Sequence, residues 1–442
     1  MHGSRPKRAR FIPFRKRDIV AMCLAEGALS GDDADAFGHC AALIAGLVHH
    51  EFHARLEALK DAYAPVAADA DTRAIKTVDG ARPPPHPREL VEALTAVLER
   101  ANFEAVSRED LHRALIEESI FKVRLHVNYD DFAEVLVFKR GESRRAERMT
   151  SWFGLRKRVL KFVNYDRVLV YVRFKDADHF KRRRSKRLLF VPGTVFIKLF
   201  QDIPKADVEM LFPNAEVRMK AIDKLAIGVP ALVSGAIIAI TRLGAVAVLL
   251  GALLAFWLGW RKDEVLLDDA ALLGLAAGLF AIGGYLWRQF SNFRNRKILF
   301  LKVLADNLYF KKLDTNAGVF HRLIDAAEEE ECKEMLLGYH FLLVAKGPVE
   351  GAELDGRIEA WFREKWSCTL DFEFEDSLGK LVRFGLTEKE GTAYRAVALA
   401  EARRRLDRRW DQLFDRGAPA PDDAPAPGEA GARAASQPMA AA

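Results

Sequence analysis

Three apolar blocks between Leu225 and Trp287 constrain this chain more than any other feature. Leu225–Thr241 carries no charge over 17 residues, Leu243–Trp260 none over 18, and Ala270–Trp287 none over 18. Spanning a bilayer core takes roughly 20 mostly apolar residues, with about 17 as the lower limit. The blocks therefore predict an integral membrane protein with water-facing parts flanking the apolar stretch. A single helix from Leu225 to Trp260 would be about 54 Å long against a hydrocarbon core of about 30 Å. A break is needed, and Thr241-Arg-Leu-Gly244 is its natural place, since Arg242 is costly at mid-bilayer unless it snorkels or pairs. Basic residues stand on both outer flanks, Arg218, Lys220 and Lys224 before and Arg288, Arg294, Arg296 and Lys297 after. Positive flanks face the cytoplasm, which favours a transmembrane helical hairpin of two spans over the alternative of three short ones. The expected location is a bacterial inner membrane or, in a eukaryote, the mitochondrion.

The net charge of +6 is modest, but its distribution is uneven. Residues 1–17 form a basic N-terminal arm with seven cations and no acid. Lys181, Arg182, Arg183, Arg184, Lys186 and Arg187 place six cations in seven residues. A run of this kind is drawn to anionic lipid or to nucleic acid, by about 1 kcal/mol per residue near a charged membrane surface, and these six are the candidate lipid-binding site. The four cysteines, Cys23, Cys40, Cys332 and Cys368, lack CxxC spacing, which argues against a zinc module or a disulfide framework.

Around the apolar stretch the hydrophobic period changes twice. Residues 18–62 read as a helix, with Ile44, Val48, Phe52, Leu56 and Leu59 on one face. After the Pro83–Pro87 loop, Leu90, Leu94, Val97 and Leu98 mark a second helix. Ser107 and Asp110 resemble a capping box that opens a third through Leu111 and Leu115. Strands are expected at 123–129, 132–139, 167–174 and 195–200, where β-branched and aromatic residues alternate or cluster. Helices followed by an antiparallel sheet predict an α+β domain over 18–215. Beyond the apolar region, helices at 319–345, 353–366 and 374–384 precede two short strands within 387–399, the order of a winged helix. A basic helix at 400–414 closes a C-terminal domain of 300–415, and the Pro/Ala/Gly-rich tail 416–442 reads as disordered.

Each candidate chemistry meets a plainer reading. His49-His50-Glu51-Phe52-His53 falls one residue short of a zincin His-Glu-x-x-His, so a solvated helix face is preferred to a metal site. His321, Asp325, Glu328 and Cys332 share a helix face, but helix-surface ion pairs such as Glu329 to Lys333 account for the charges. A recognition helix at 374–384 would open on Phe372-Glu-Phe-Glu-Asp376, whose carboxylates disfavour nucleic acid. Arg403-Arg-Arg405 and Arg408-Arg409 keep phosphate contact open. No phosphate-loop, dinucleotide-binding or nucleophile-elbow motif is present in the sequence, and no cofactor is expected.

Several segments taken together carry a likeness: Ile203–Pro213, Gly228-Val-Pro230, Arg294–Lys297, Asp306–Asp314, Asn316–Leu323, Ala326–Glu331, Leu354–Phe362 and Asp407–Trp410. The chain resembles a family of integral membrane proteins defined by a domain of unknown function, whose animal members include mitochondrial transmembrane protein 143. The resemblance implies a membrane anchor and offers no catalytic residue. The functional expectation is a membrane-anchored, non-enzymatic interaction or scaffold protein with polybasic contact to anionic lipid and an unidentified protein partner. Association of copies stays open. The alternative is a membrane-tethered nucleic-acid-binding regulator using the winged-helix-like domain.

Overall fold

The computed structural model describes residues 10–70, 87–107, 124–151, 156–181, 190–218, 311–345 and 347–414, together with separate positions between 251 and 310. They divide into two compact units, with the chain passing between them at 120–128, at 212–213 and at 310–311. The larger unit is mixed helix and antiparallel sheet.

Eight helices are described: α1 (Lys16–Ala25), α2 (Asp32–Tyr63), α3 (Pro87–Arg100), α4 (Ala177–Lys181), α5 (Ala317–Val344), α6 (Gly351–Trp366), α7 (Phe374–Arg383) and α8 (Leu399–Asp411). The helix expected at 18–62 is thus two helices. Gly27 and Gly31 adopt φ of +73° and +57° between them, a conformation that only glycine adopts without steric cost. Past that break α2 runs uninterrupted. Asp32, Asp33 and Asp35 occupy its first turn and Lys60 its last, each sign complementing the helix dipole at its own end. Its buried stripe of Phe37, Ile44, Leu47, Val48, Phe52, Leu56 and Leu59 follows the three-and-four spacing. The expected helix beginning at Ser107 lies almost entirely outside the described residues.

A five-stranded antiparallel sheet has the order β1 (Glu104–Ala105), β3 (Phe132–Ser151), β4 (Arg156–Phe174), β5 (Val195–Pro204), β7 (Lys312–Thr315). β3 and β4 are longer than their apolar cores at 132–139 and 167–174 suggest. They stay paired from Phe132↔Phe174 out to Ser151↔Arg156, through a polar stretch with no strand-like alternation. β7 joins the sheet from far along the chain. Asn316, at φ +54°, anchors it there: its N–H donates to the Ile197 carbonyl at 2.6 Å and its Oδ1 accepts from the Ile197 N–H at 3.2 Å. This satisfies a buried main-chain pair just where α5 begins, and asparagine tolerates the left-handed backbone it requires.

One apolar cluster joins α1, α2, α3, α5, α6, α7 and α8 to one face of the sheet, through Phe138, Leu169, Tyr171, Ile197 and Leu199. The stretches treated above as separate N-terminal and C-terminal domains, 18–215 and 300–415, therefore share a core. Tyr63 packs edge-on to Phe320 at 5.3 Å, and the Tyr339 hydroxyl donates to the Val397 carbonyl at 2.8 Å. Each large side chain buried here contributes about 1.5–3 kcal/mol. On the other sheet face Val135, Val137, Val168, Val170 and Val172 are also buried, and the 3-10 segment Lys205–Leu211 packs there beside β4 and β5.

The smaller unit contributes a two-stranded pair, β2 (Arg124–His126) with β6 (Glu216–Arg218). The transmembrane hairpin expected at 225–287 is overturned: among the described residues no helix is long and apolar enough to cross a membrane. Leu225–Leu250 and Trp260–Leu272, including Arg242, lie outside the described residues.

Candidate functional site

The densest chemistry of the larger unit is a buried charge network along α5. Phe320, Leu323, Ile324, Ala327, Met335 and Leu342 set its inward stripe, and the same spacing carries Glu331 and Glu334 inward with Glu330 and Lys333 beside them. All four are between 0 and 4 % exposed. An isolated buried charge is expensive, so each must find a partner.

The partners come from three directions. From α7, the Lys380 ammonium lies 3.0 Å from Glu334 Oε2, 2.6 Å from Asp376 Oδ2 and 3.7 Å from Glu331 Oε1. From the end of α3, Arg100 donates to Glu331 Oε1 at 2.7 Å. Within α5, Lys333 donates to Glu330 Oε1 at 2.5 Å. Close helix packing makes the first of these reachable. A Cβ on Gly338 would sit 2.6 Å from Ser377 Oγ, and that hydroxyl donates to the Glu334 carbonyl at 2.9 Å.

The third direction is the N-terminal segment. Lys333 donates to the Ile12 carbonyl at 2.7 Å while the Ile12 N–H donates to Glu330 Oε2 at 3.2 Å, so one ion pair reads both main-chain groups of a single residue. The Lys16 N–H donates to Glu329 Oε1 at 2.6 Å. Phe11 offers its ring to Arg140 at 4.4 Å and to Lys333 at 4.8 Å, and Phe14 stacks on Phe362 at 5.8 Å. Cation–ring contacts of this kind gain strength where water is excluded.

Burial dominates the titration of these groups. It pushes the Glu334 carboxyl up to about 7, against the pull of Lys380. Burial alone would lower the Lys380 ammonium, but the carboxylates of Glu331, Glu334 and Asp376 raise it on balance. Burial pulls the Arg140 guanidinium down to about 10. Next to the network, His340 is 3 % exposed, packs edge-on to Phe37 at 5.6 Å, and is held by burial down to about 4. The arrangement neutralises charge and fixes the seating of Ile12; its ammonium and guanidinium groups are engaged by carboxylates.

The residues singled out in the sequence land in varied surroundings. Lys181 ends α4 at the surface, 2.7 Å from Asp178; Arg182, Arg183, Arg184, Lys186 and Arg187 lie outside the described residues. In the His49–His53 run, His49 Nδ1 is 2.9 Å from Glu328 Oε2, His50 packs edge-on to Phe414, and Glu51 takes Arg383 and Arg409. Cys332 is buried, with its thiol pushed up to about 12 by that burial. Among the described residues no group of three or more His, Cys, Asp or Glu side chains is placed to hold a metal ion. The expected surface pair of Glu329 with Lys333 is replaced: Lys333 turns inward to Glu330, and Glu329 meets Lys16.

On the C-terminal side, β9 (Thr387–Glu390) and β10 (Ala393–Ala396) form the expected hairpin, and β8 (Val349–Glu350) adds a third strand beside β10. On α8, Arg405 and Arg409 are turned to internal work, while Arg403, Arg404 and Arg408 are exposed. Arg405 binds Glu401, Glu388 and the Gly385 carbonyl, while Arg409 binds the Arg383 carbonyl and Glu51 and lies over the Phe384 ring. At the opening of α7, Glu373 pairs with Arg10 at 2.6 Å and Asp376 with Lys380.

The sequence profile of a family of proteins of unknown function, DUF3754, matches residues 165–318. That stretch is a DUF3754 domain. It takes in the sheet-forming half of β4, β5, the described positions of the smaller unit between 213 and 310, β7 and the first residues of α5. The Asn316 anchor belongs to the DUF3754 domain; the ion network, from Glu330 onward, lies beyond it. No solved structure matches the chain.

Proposed function

We propose that the protein is a non-enzymatic interaction or scaffold protein working at an anionic membrane surface, which it contacts through Lys181, Arg182, Arg183, Arg184, Lys186 and Arg187. The observation that carries the reading is the charge density of that run, six cations in seven residues, against a core whose buried cations face carboxylates. Lys181 stands at the surface, and its contact with Asp178 is an exposed pair of the kind worth about 0–1 kcal/mol, so an anionic surface competes for it readily. Exposed aromatic side chains in the smaller unit support the same reading. Trp257, Phe280 and Trp287 are 86, 84 and 71 % exposed, and tryptophan favours the interface between headgroups and water. Kinship with transmembrane protein 143 is part of this proposal and rests on Ile203–Pro213 and Asp306–Asp314, both inside the DUF3754 domain.

Flotation of the full chain with phosphatidylserine vesicles tests the reading. Replacing the six cations by glutamine weakens binding, and added salt weakens the wild type, since screening acts over about 8–10 Å. Binding that ignores both changes removes the proposed contact.

A nucleic-acid-binding regulator has one observation in its favour, the order α5, α6, α7, β9, β10, which is that of a winged helix. Against it, Arg405 and Arg409 are engaged within the fold and α7 opens on Glu373, Glu375 and Asp376. Filter binding of the full chain to duplex DNA at several salt concentrations decides: tight binding with a steep salt slope would revive it.

A further inference from the structure

β7 is the outermost strand of the five-stranded sheet, and the sheet face beside it carries cations that the fold leaves without a carboxylate. Side chains alternate along β5. Val195, Ile197 and Leu199 enter the core beneath the helices, so Phe196, Lys198 and Phe200 take the opposite face. Directly opposed residues of an antiparallel pair share a face. Lys198 is paired with Thr315 and Phe200 with Lys312, which places Lys198, Lys312 and Thr315 together on that side.

Each of the three lacks the partner its chemistry calls for. Lys198 is half-buried, with its ammonium 5.2 Å from the centre of the Phe196 ring. Among the described residues neither Lys198 nor the exposed Lys312 forms an ion pair. Burial first, and then the charge of Lys312, holds the Lys198 ammonium below the usual lysine range, and no acid offsets either effect. The Thr315 hydroxyl oxygen is buried and has no hydrogen-bond partner among the described residues, a costly state for a polar group. The two carboxylates nearest along the chain are engaged elsewhere. Asp314, opposite the core-facing Leu199, accepts from Arg322 of α5 at 3.1 Å. Asp202 accepts from Arg145 at 2.8 Å and from Asn164 at 3.0 Å.

Two ammoniums and a hydroxyl on one face form a set of donors with no acceptor. A single ligand that satisfies them needs more than one negative charge and at least three oxygens. A carboxylate has one charge and two oxygens. A phosphate group brings a charge of about −1.5 to −2 and three strong acceptor oxygens, and lysine binds such a group as a point charge.

We propose that Lys198, Lys312 and Thr315 bind a phosphate group at the β5–β7 edge, with the Phe196 ring flanking the Lys198 ammonium. The site lies wholly within the DUF3754 domain. It is separate from the run at 181–187, so it stands or falls independently of the proposed membrane contact.

The test is isothermal titration of the full chain with sodium phosphate at fixed ionic strength, in a background whose 181–187 cations are glutamine so that the run contributes nothing. Saturable binding is expected to persist in that background. Lys198→Met weakens it at least about tenfold and Thr315→Val about three- to tenfold. Lys198→Arg keeps the charge and retains binding, which separates lost charge from lost fold. Arg404→Gln removes a surface cation of α8 and leaves binding unchanged. Two further ligands identify the source of the phosphate. Equal affinities for inorganic phosphate, glycerol 3-phosphate and soluble dihexanoyl phosphatidic acid support a free phosphate, and at least about tenfold tighter binding of the phosphatidic acid supports a lipid headgroup. The absence of saturable phosphate binding, or binding that Lys198→Met and Thr315→Val leave intact, overturns the site and leaves the proposed function standing.

Discussion

Two groups of cations in one unit are treated in opposite ways. Along α5, Lys333, Lys380 and Arg100 each face a carboxylate inside the core. On α8, Arg403, Arg404 and Arg408 stand exposed, and the pairs Arg403 makes with Asp407 and Arg404 with Glu401 lie at the surface. The first arrangement spends its electrostatics within the fold. The second meets water, where exposed pairs are worth about 0–1 kcal/mol. Charge count alone does not separate them; burial does.

The contrast breaks most easily at Lys333. Lys333→Met strands the Glu330 carboxylate and the Ile12 carbonyl in the core, and the expected loss is about 3–5 kcal/mol in urea unfolding. A loss below about 1 kcal/mol would place the pair in water and erase the distinction.

Acid and base sharpen it next. His340, held down to about 4 from an ordinary 6.5, contributes stability that is present above about 6.5 and lost as pH falls through 4. Glu334, pushed up to about 7 from an ordinary 4.5, contributes stability present below about 4.5 and lost as pH rises through 7. The two slopes oppose one another between those limits, each at most about 1.4 kcal/mol per pH unit. His340→Phe should therefore leave a stability that falls from pH 4.5 to 7, and Glu334→Gln one that rises from pH 4 to 6.5. Denaturant midpoints across that range read both; parallel curves for the two variants would refute the assignment.

Phe11→Ala removes the ring beneath Arg140 and Lys333. It is expected to cost about 1–2 kcal/mol and to speed hydrogen exchange at the Ile12 amide, with the amides of central α5 unchanged. The smallest effect belongs to α8: Arg403→Gln should move the unfolding free energy by no more than about 0.5 kcal/mol, since its pair with Asp407 is exposed. A larger loss would mean that this surface charge serves the fold after all.

Much of the helical scaffold was legible. The spacing of Ile44, Val48, Phe52 and Leu56, or of Leu354, Ile358, Trp361 and Phe362, points to buried helix faces, and those residues are buried. The hairpin around Gly391 is where the turn residues put it. The break at Gly27 and Gly31 was missed because apolar residues continue on both sides of it. β7 and β8 are four and two residues long, too short for any period to show. The outer parts of β3 and β4 have the composition of a charged loop, and only pairing makes them strand.

The ion network was hidden for a different reason. A run such as Glu328–Glu331 reads as solvated, because burying carboxylates is costly unless distant partners arrive. Lys380 and Ile12 come from far along the chain, and local spacing cannot announce them. One trace was visible: the stripe through Phe320, Leu323, Ala327 and Leu342 passes through Glu331, Glu334 and Gly338, where a surface reading has no place for carboxylates. The apolar blocks at 225–287 failed in the opposite direction, since an uncharged run specifies burial somewhere and not the medium that buries it.

The most direct test of the central claim is a double-mutant cycle between Lys380 and Glu334, with Lys380→Met, Glu334→Gln and both together unfolded in urea near pH 8. Charges paired inside the core predict a coupling of about 1–3 kcal/mol, with the double variant losing far less than the two single losses added. Strict additivity would contradict the pairing on which the comparison rests.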